Sequence, residues 1–389
     1  MNNDAANAPV IDGDEILEGV LRWVEIESPS HDGDAVNRMV DHVEEGLAVL
    51  GLSVERTPGR DGFGDILTAK TPWGGDGGGD AGGDEPGILV LSHLDTVHPI
   101  GTKEGRNPIR REGDKVYGPG IYDMKAGAYV AFYAMRHIIR SGEETPLPVT
   151  FMYIPEEEVG SPTSREMIVE AAKKNKYVLV TEPAREGGKI VTARNGRLQY
   201  RLKVTGRPAH AGSRHMDGRN AITEMARQIL RMEELTDYDA QTTCSVGTIT
   251  GGTMTNVVPH ECEVTVDLRV PNEAAQQKIL DFFADLQPFD PDCTLEVEGG
   301  VDRPPYDKFD GIEHLFQHAK GIAAEIGFDL QDLKTGGGSD GNFTGALGIP
   351  TLDGLGADGH GAHSYDEFIY FSSLAERAKL MLGLLRTLT

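Results

Sequence analysis

The chain has 389 residues, of which 39% are hydrophobic and 25% charged, and its formal net charge of −25 gives a sequence pI of about 4.8. The length suggests two domains with ample core, and the negative charge argues against nucleic acid or anionic membranes as partners. The three cysteines, Cys244, Cys262 and Cys293, are too few for a disulfide framework and lack metal-ligand spacing. No signal peptide or membrane-spanning run is recognisable, so we expect a cytoplasmic protein.

The N-terminal part of the chain is predicted to form two amphipathic helices and two strands. In order, these are a helix capped by Asp12 or Asp14, a helix at 34–50 ended by Gly51, and strands at 52–56 and 65–70. Glycine and aspartate then dominate 74–84, a composition typical of a flexible, solvated surface insertion.

The apolar run at 87–91 predicts a buried strand of a mostly parallel sheet, and it leads directly to His93. The carboxyl ends of such strands are where α/β proteins bind ligands. Asp95, two residues further on, points to the same side of the strand and can accept one ring N–H of His93. That contact leaves the other ring nitrogen for a metal. A core histidine beside a chance aspartate is the alternative that this pair alone leaves open.

Three further acidic motifs follow predicted elements in the same way. They are Asp123 in the loop 118–127 before a helix, the run Glu156, Glu157 and Glu158 after a strand at 149–154, and Glu182 after a strand at 177–180. Carboxylates crowded at strand ends repel one another unless a cation or protons offset their charge. Together with His93, they form a set of oxygen and imidazole ligands that suits Zn²⁺, Co²⁺ or Mn²⁺.

The pattern changes near Gly196 and predicts an inserted domain at 196–308. Its predicted order is a strand at 198–205, a helix at 220–235, strands at 244–249 and 262–270, a helix at 272–286 and a strand at 294–298. This β-α-β-β-α-β order is that of a ferredoxin-like α+β unit. The flanking segments 1–195 and 309–389 then form one mostly parallel α/β domain. Its last part has helices at 311–326 and 367–388, and a short strand at 349–352 between them.

Eight motifs in this order resemble the co-catalytic zinc hydrolases that include carboxypeptidase G, aminoacylase, acetylornithine deacetylase and succinyl-diaminopimelate desuccinylase. The motifs are Ser92 to Val97, Gly118 to Lys125, Glu157 to Ser161, Thr181 to Pro183, Pro208 to Gly212, Asn256 with Arg269, the glycines 336–338 before Ser339, and Gly361 to Ser364. The resemblance covers nearly the whole chain, and carboxypeptidase G-like members are the most similar. It implies an α/β metallohydrolase domain with an inserted lid or dimerisation domain.

The resemblance also implies a site with two divalent metal ions, Zn²⁺ in the first place and Mn²⁺ or Co²⁺ as alternatives. His93 and Glu182 would bind one ion, Glu158 and His363 the other, and Asp123 both. Asp95 would orient His93, and Glu157 would be the general base and acid. If the motif register slips by one residue, Glu156 takes the place of Glu157. The family further has a cis peptide bond after the bridging aspartate, here between Asp123 and Met124.

Other family roles fall on residues that bind substrate or stabilise the oxyanion. His210, on the inserted domain, would be an oxyanion donor that reaches the partner's site in a homodimer; a strand-end surface histidine is its alternative. Asn256 and Arg269 match residues near a substrate carboxylate, for which arginine's planar fork is suited. Lys189 and Arg303 match basic residues that favour an acidic substrate; ordinary surface charge is the alternative for both, and for Lys189 it explains the residue equally well. Glycines 336–338, centred on Gly337, either admit substrate to the backbone or form a plain turn.

These observations predict a metal-dependent hydrolase that cleaves an amide or peptide C–N bond next to a free carboxylate, by a metal-bridged hydroxide with Glu157 as base. N-acyl amino acid deacylation and hydrolytic deamination of an amino-aromatic acid are alternatives, and a non-catalytic metal-binding module is an alternative of another class. The expected partners are a small carboxylate-bearing substrate and a second copy of the chain through the inserted domain, with no nucleic acid and no membrane.

Overall fold

The computed structural model describes residues 10–73 and 86–389. The glycine- and aspartate-rich stretch at 74–84 therefore lies outside the described residues. The helices are α1 Gly13–Val24, α2 Gly33–Val49, α3 Ala126–Arg140, α4 Arg165–Lys173, α5 Ala221–Glu233, α6 Glu273–Ala284, α7 Asp310–Ile326, α8 Gly341–Ala346 and α9 Phe371–Thr387. Within the described part of the chain, no helix is both long and apolar enough to cross a membrane.

The strands of the described residues form four sheets. They are β1 Ser53–Thr57, β2 Ile66–Lys70, β3 Gly87–His93, β4 Arg110–Glu112, β5 Lys115–Tyr117, β6 Val149–Ile154, β7 Asn175–Val180, β8 Ile190–Arg194, β9 Gly196–Thr205, β10 Thr243–Gly251, β11 Glu261–Val270, β12 Thr294–Arg303, β13 Asp332–Thr335, β14 Thr351–Leu352, β15 Gly359–His360 and β16 Phe368–Tyr370. The central sheet has the order β1-β2-β6-β3-β7-β14, and a small sheet has the order β15-β16-β5-β4. β8 pairs with β13.

The chain divides into two compact units. The larger unit comprises the described residues within Met1–Thr192, together with Lys308–Lys334 and Ser339–Thr389, and the smaller unit comprises Ala193–Asp307 and Thr335–Gly338.

The central sheet of the larger unit is buried on both faces. β3 is buried over its whole length and runs parallel to β6 and β7. On one face, Leu89 and Leu91 pack with Ile168 of α4 and Phe343 of α8. On the other face, α3 contacts β3 and also packs against α1 and α9. Helices on both faces explain the uninterrupted apolar run of β3, and the predicted α/β class with a mostly parallel sheet is confirmed.

The strand register brings three carboxyl ends to one edge of this sheet. His93 at the end of β3 is paired with Ile154 at the end of β6, and Leu91 is paired with Val180 at the end of β7. The residues that follow these strands therefore emerge side by side, which is the arrangement that places ligands at the edge of a parallel sheet.

The smaller unit is an antiparallel sheet of order β10-β11-β9-β12 with two helices in the chain order β-α-β-β-α-β. Burial alternates along β9 and β11, so only one face of the sheet forms a core. That core includes Leu202, Val264, Met225 of α5 and Phe283 of α6. The role of this unit as a lid or dimerisation domain remains a prediction.

Several elements differ from the sequence-based expectation: β8 and β13 were not predicted, and β12 extends to Arg303 instead of ending at residue 298. α4 was not predicted, because only Ile168 and Ala172 of its nine residues are buried and the periodic signal is correspondingly weak. The last helix was expected to begin at Glu367 but begins at Phe371, since Glu367 is buried and the next three residues form β16 against β5.

Candidate metal centre

Five side chains of the larger unit meet in two groups at the carboxyl edge of the central sheet. One group is His93, Asp123 and Glu182, and the other is Asp123, Glu158 and His363. Within each group the candidate ligand atoms all lie within 4.8 Å of one another. Asp123 is the member that both groups share.

Asp123 turns a different oxygen to each group. Its Oδ1 lies 3.2 Å from Nε2 of His93, and its Oδ2 lies 3.4 Å from Nε2 of His363. Nε2 of His93 is also 3.7 Å from Glu182, and Nε2 of His363 is 2.9 Å from Glu158. A carboxylate with one oxygen directed to each group is suited to bridging two cations.

The electrostatics of the cluster are those expected of a cation-binding site, and not those of a group of side chains whose charges already balance one another. Burial and the charge of Asp123 raise the pKa of Glu158 to about 8 and raise the pKa of Glu182 well above its usual value. Burial opposes protonation of His93, but hydrogen bonds to Asp123 and Asp95 outweigh it and raise its pKa. Among the described residues, the buried Oε1 of Glu158 has no hydrogen-bond partner. Carboxylates that burial and mutual repulsion keep protonated in the absence of a cation, together with two imidazoles, make up a ligand set that suits Zn²⁺, Mn²⁺ or Co²⁺.

His363 contributes positive charge to the same cluster. Hydrogen bonds to Asp123 and Glu158 raise its pKa to about 11. It lies in an irregular loop with a backbone φ of 63°, and 57% of its side chain is exposed. The second group is therefore the side of the site that is open to solvent.

Asp95 connects His93 to the loop that carries the paired glutamates. Nδ1 of His93 lies 3.0 Å from the backbone oxygen of Asp95 and 3.3 Å from its Oδ1. The same carboxylate accepts the backbone N–H of Glu157 on Oδ1 at 3.1 Å and that of Glu158 on Oδ2 at 3.2 Å. Ser30 donates its hydroxyl to Oδ2 at 2.6 Å. These contacts leave Nε2 of His93 to face the cluster.

Glu156 and Glu157 lie in different surroundings, although they are adjacent in the chain. Glu156 is fully buried, and its Oε1 accepts the backbone N–H groups of Thr163 and Ser164 at 3.1 and 2.9 Å. Glu157 is only partly buried and begins a single helical turn. After burial and the Asp123 contact, the charge of Glu157 is a further cause of the raised pKa of Glu182. This geometry favours the register in which Glu157, and not Glu156, serves the site.

Asp123 is carried by an irregular turn at residues 120–125, which we call the Asp123 turn. Gly120 has a φ of 67°, and a Cβ there would lie 2.3 Å from Thr96. The Asp123–Met124 peptide bond is cis, as the family resemblance implies. Glu367 accepts backbone N–H groups of this turn, a function that its expected place at a helix start did not suggest.

His210 and Asn256 are neighbours in the smaller unit. The backbone N–H of Ala211 donates to Asn256 at 2.9 Å, and His210 itself is exposed. Nδ1 of His210 accepts the backbone N–H groups of Gly212 and Ser213, each at 3.1 Å. This nitrogen is therefore unprotonated, and Nε2 is the ring atom that can donate.

The other predicted substrate residues lie in two places. Arg269 donates to Asp267 at 2.7 Å and to the backbone oxygen of Gly336 at 3.3 Å, and Arg303 is buried beside Gly338. A Cβ at Gly337 would come no closer than 3.9 Å to another heavy atom, so local packing does not require glycine there. Lys189 belongs to the larger unit, where its Nζ is 3.4 Å from Glu186.

Comparisons with known proteins identify a matching family and similar proteins. The model of the family described as "Peptidase family M20/M25/M40" matches residues 89–387. The chain is similar to Carboxypeptidase G2 of Pseudomonas sp. (strain RS-16), with 28% identity over 369 residues that cover 93% of this chain and 86% of that protein. It is also similar to succinyl-diaminopimelate desuccinylase of Hydrogenovibrio crunogenus, with 26% identity over 356 residues that cover 86% of this chain and 89% of that protein.

A tripeptidase structure from Staphylococcus aureus superposes with a TM-score of 0.75 and 22% identity, covering 97% of this chain and 99% of that one. At this level of identity, the structural likeness establishes the fold.

Proposed function

Because the chain belongs to peptidase family M20/M25/M40 and is a hydrolase of peptide or amide bonds, we propose that it cleaves a C–N bond next to a free carboxylate. The family and the enzyme class predicted from the motifs are thereby confirmed. A carboxypeptidase and a desuccinylase among the similar proteins support a small, carboxylate-bearing substrate.

The site is proposed to hold two divalent cations, Zn²⁺ first and Mn²⁺ or Co²⁺ as alternatives. His93 and Glu182 would hold one, Glu158 and His363 the other, and Asp123 both. The observation that carries this proposal is the division of the two Asp123 oxygens between two histidines, at 3.2 and 3.4 Å. When bound, such a pair of cations acidifies a water held between them and polarises the carbonyl of the substrate.

Glu157 is proposed as the general base and acid. It accepts a proton from the attacking water and delivers it to the leaving amine, so one carboxylate serves both steps. Asp95 keeps Glu157 in place by accepting its backbone N–H at 3.1 Å. The alternative base, Glu156, is held by Thr163 and Ser164 at the start of α4, so it is a matched control for Glu157.

His210 is proposed to donate its Nε2–H to the tetrahedral oxyanion. Its tautomer suits this role, because the two backbone donors on Nδ1 leave the proton on Nε2. We further propose that the chain is a homodimer through the smaller unit and that His210 serves the partner's site. β10 is an edge strand among the described strands, and Leu230, Ile249 and Met254 are exposed on the same unit. A solvent-exposed apolar set next to an unpaired strand edge favours self-association.

Arg269 and Asn256 are proposed to bind the substrate carboxylate, with Arg303 and Lys189 adding positive charge and Gly337 admitting substrate to the backbone. Asp267 holds the Arg269 guanidinium through Nε at 2.7 Å, which fixes the plane of the fork. Deacylation of N-acyl amino acids uses the same groups and is the second candidate. Dipeptides, N-acyl amino acids and aminobenzoates, assayed in parallel, distinguish the carboxypeptidase, deacylase and deaminase alternatives.

The experiment that tests this function compares Glu157→Gln with Glu156→Gln. With divalent metal added, Glu157→Gln is expected to lose roughly 10²- to 10⁴-fold in kcat while it binds as much metal as the wild type. Glu156→Gln should stay within a few-fold of wild-type kcat. Equal activity of Glu157→Gln and an active wild type would exclude Glu157 as the base, and wild-type turnover that survives complete removal of metal would contradict metal-dependent catalysis. Failure of the metal-loaded wild type to turn over any of these substrates would support the non-catalytic alternative.

A further inference from the structure

The carboxylate of Glu367 connects three segments of the chain that carry candidate ligands. Glu367 is fully buried and lies four residues after His363. Its four donors, two on each oxygen at 2.7–2.9 Å, are the backbone N–H groups of Gly120, Tyr122 and Asp123 and Nε2 of His98. The backbone oxygen of Glu367 also accepts the Asn107 side chain at 3.3 Å.

The backbone N–H groups at the Asp123 turn need an acceptor from outside the turn. Asp123 and Met124 have non-helical backbone angles, so the regular hydrogen bonds of a helix do not form there. A buried N–H group without an acceptor costs about 1–3 kcal/mol. Glu367 removes this cost for three N–H groups at once and thereby fixes the peptide planes that lead to Asp123.

His98 holds Glu367 from the third segment. It lies three residues after Asp95 and is buried, with Nε2 at 2.7 Å from Oε2 of Glu367. Because a carboxylate oxygen only accepts hydrogen bonds, Nε2 of His98 carries the proton in this contact. The segment after β3, the Asp123 turn and the segment of His363 are thus tied to one buried side chain.

We infer that Glu367 and His98 are positioning residues for the metal centre, an inference that rests on the proposed two-cation site. They touch neither substrate nor the proposed cations. Glu367 acts on Asp123 through the backbone and on His363 through the chain. Glu367 therefore supports two members of the Asp123, Glu158 and His363 group, which are Asp123 and His363. In the His93, Asp123 and Glu182 group it supports only Asp123.

Glu367→Gln replaces one acceptor oxygen with an amide, which cannot accept the donors that face that oxygen: Tyr122 and Asp123 in one orientation of the amide, Gly120 and His98 in the other. Loss of such supporting contacts typically lowers metal affinity 10- to 100-fold. We expect a loss of that size at the Asp123, Glu158 and His363 group and a smaller loss at the His93, Asp123 and Glu182 group. His98→Ala should give a loss in the same direction. His98→Gln, which can place an amide donor near the position of Nε2, should restore much of it.

Glu224→Gln is the matched control. Glu224 is a buried carboxylate of the smaller unit that accepts the backbone N–H groups of Phe289 and Asp290 at 2.8 and 3.1 Å. It therefore holds a loop by the same means as Glu367, but it holds no candidate ligand. Its substitution should lower the melting temperature and leave metal affinity within two-fold of wild type.

The test is a titration of each metal-free full-length variant with Co²⁺, followed by visible absorption, with melting temperatures measured in parallel. The inference predicts two equivalents for the wild type, a weakened equivalent for Glu367→Gln and His98→Ala, partial rescue in His98→Gln, and no change for Glu224→Gln. If Glu367→Gln binds Co²⁺ with wild-type affinity, this inference is overturned and the proposed function is not. The inference is also overturned if Glu224→Gln loses as much Co²⁺ affinity as Glu367→Gln, because the loss would then be explained by general destabilisation of the fold. A wild type that binds no Co²⁺ overturns the proposed function and this inference together.

Discussion

Asp95→Asn separates the positioning of the site from its chemistry, because Asp95 touches no proposed cation. The Asp95 carboxylate faces four donors, which are the backbone N–H groups of Glu157 and Glu158, the hydroxyl of Ser30 and Nδ1 of His93. An asparagine oxygen at the Oδ1 position would still serve Glu157 and His93. Its amide group would then replace Oδ2, where the Ser30 hydroxyl can reverse its role and accept.

Glu158 is the group that loses its acceptor in Asp95→Asn. Its backbone N–H would face the new amide instead of an oxygen, which costs about 1–3 kcal/mol. An energy of that size corresponds to roughly 5- to 150-fold in an equilibrium constant. We therefore expect kcat/KM and the affinity of the Asp123, Glu158 and His363 group for metal both to fall by about that factor.

The assay for Asp95→Asn combines kcat/KM at saturating metal with metal content after dialysis against graded free Zn²⁺. Ser30→Ala is the control, since it removes one donor and leaves both N–H contacts in place, and it should change each quantity by no more than about three-fold. Metal affinity of Asp95→Asn within two-fold of wild type would refute the reasoning that Asp95 holds the glutamate loop.

Three further predictions concern pH, substrate and assembly. In the metal-free protein, the raised pKa values of Glu158 (about 8) and His363 (about 11) mean that the folded state binds protons more tightly than the unfolded state. The melting temperature in chelator should therefore fall as pH rises from about 5 to 9, with a smaller slope in Glu158→Gln; a rise over this window would contradict the assignment. Arg269→Lys should raise KM for a carboxylate substrate about 10-fold with little change in kcat, because lysine lacks the planar fork; an unchanged KM would exclude Arg269 from the substrate site. Leu230→Asp should convert a dimer to a monomer by light scattering, because Leu230 is 68% exposed on the smaller unit; a dimer that persists would place the interface elsewhere.

Candidate metal ligands were easiest to predict from the sequence where a buried strand leads directly to them. His93 ends one buried parallel strand and Glu182 closely follows another, and the register between β3, β6 and β7 brings those strand ends together. The apolar pattern of the strands was enough to predict that these ends meet, because the carboxyl ends of parallel strands lie at the same edge of a sheet. The confirmed fold class rests on the same signal.

His363 and Glu367 could not be predicted in this way. His363 lies in an irregular loop with a φ of 63°, which carries no periodic signal, and only the family motif indicated it. Glu367 seemed to be the first residue of a helix, since an acidic residue there is common. Its actual donors at the Asp123 turn are some 245 residues away in the chain, and no local pattern announces such a contact.

The metal-ligand assignments and the cytoplasmic location remain predictions. The most direct test of the central claim, that Asp123 bridges two cations, is a crystal structure of the protein grown with Zn²⁺, with anomalous diffraction recorded at the zinc edge. The account predicts two anomalous peaks per chain, one beside each Asp123 oxygen, with His93 at one peak and His363 at the other. A single peak, or peaks that lie away from Asp123, would contradict it.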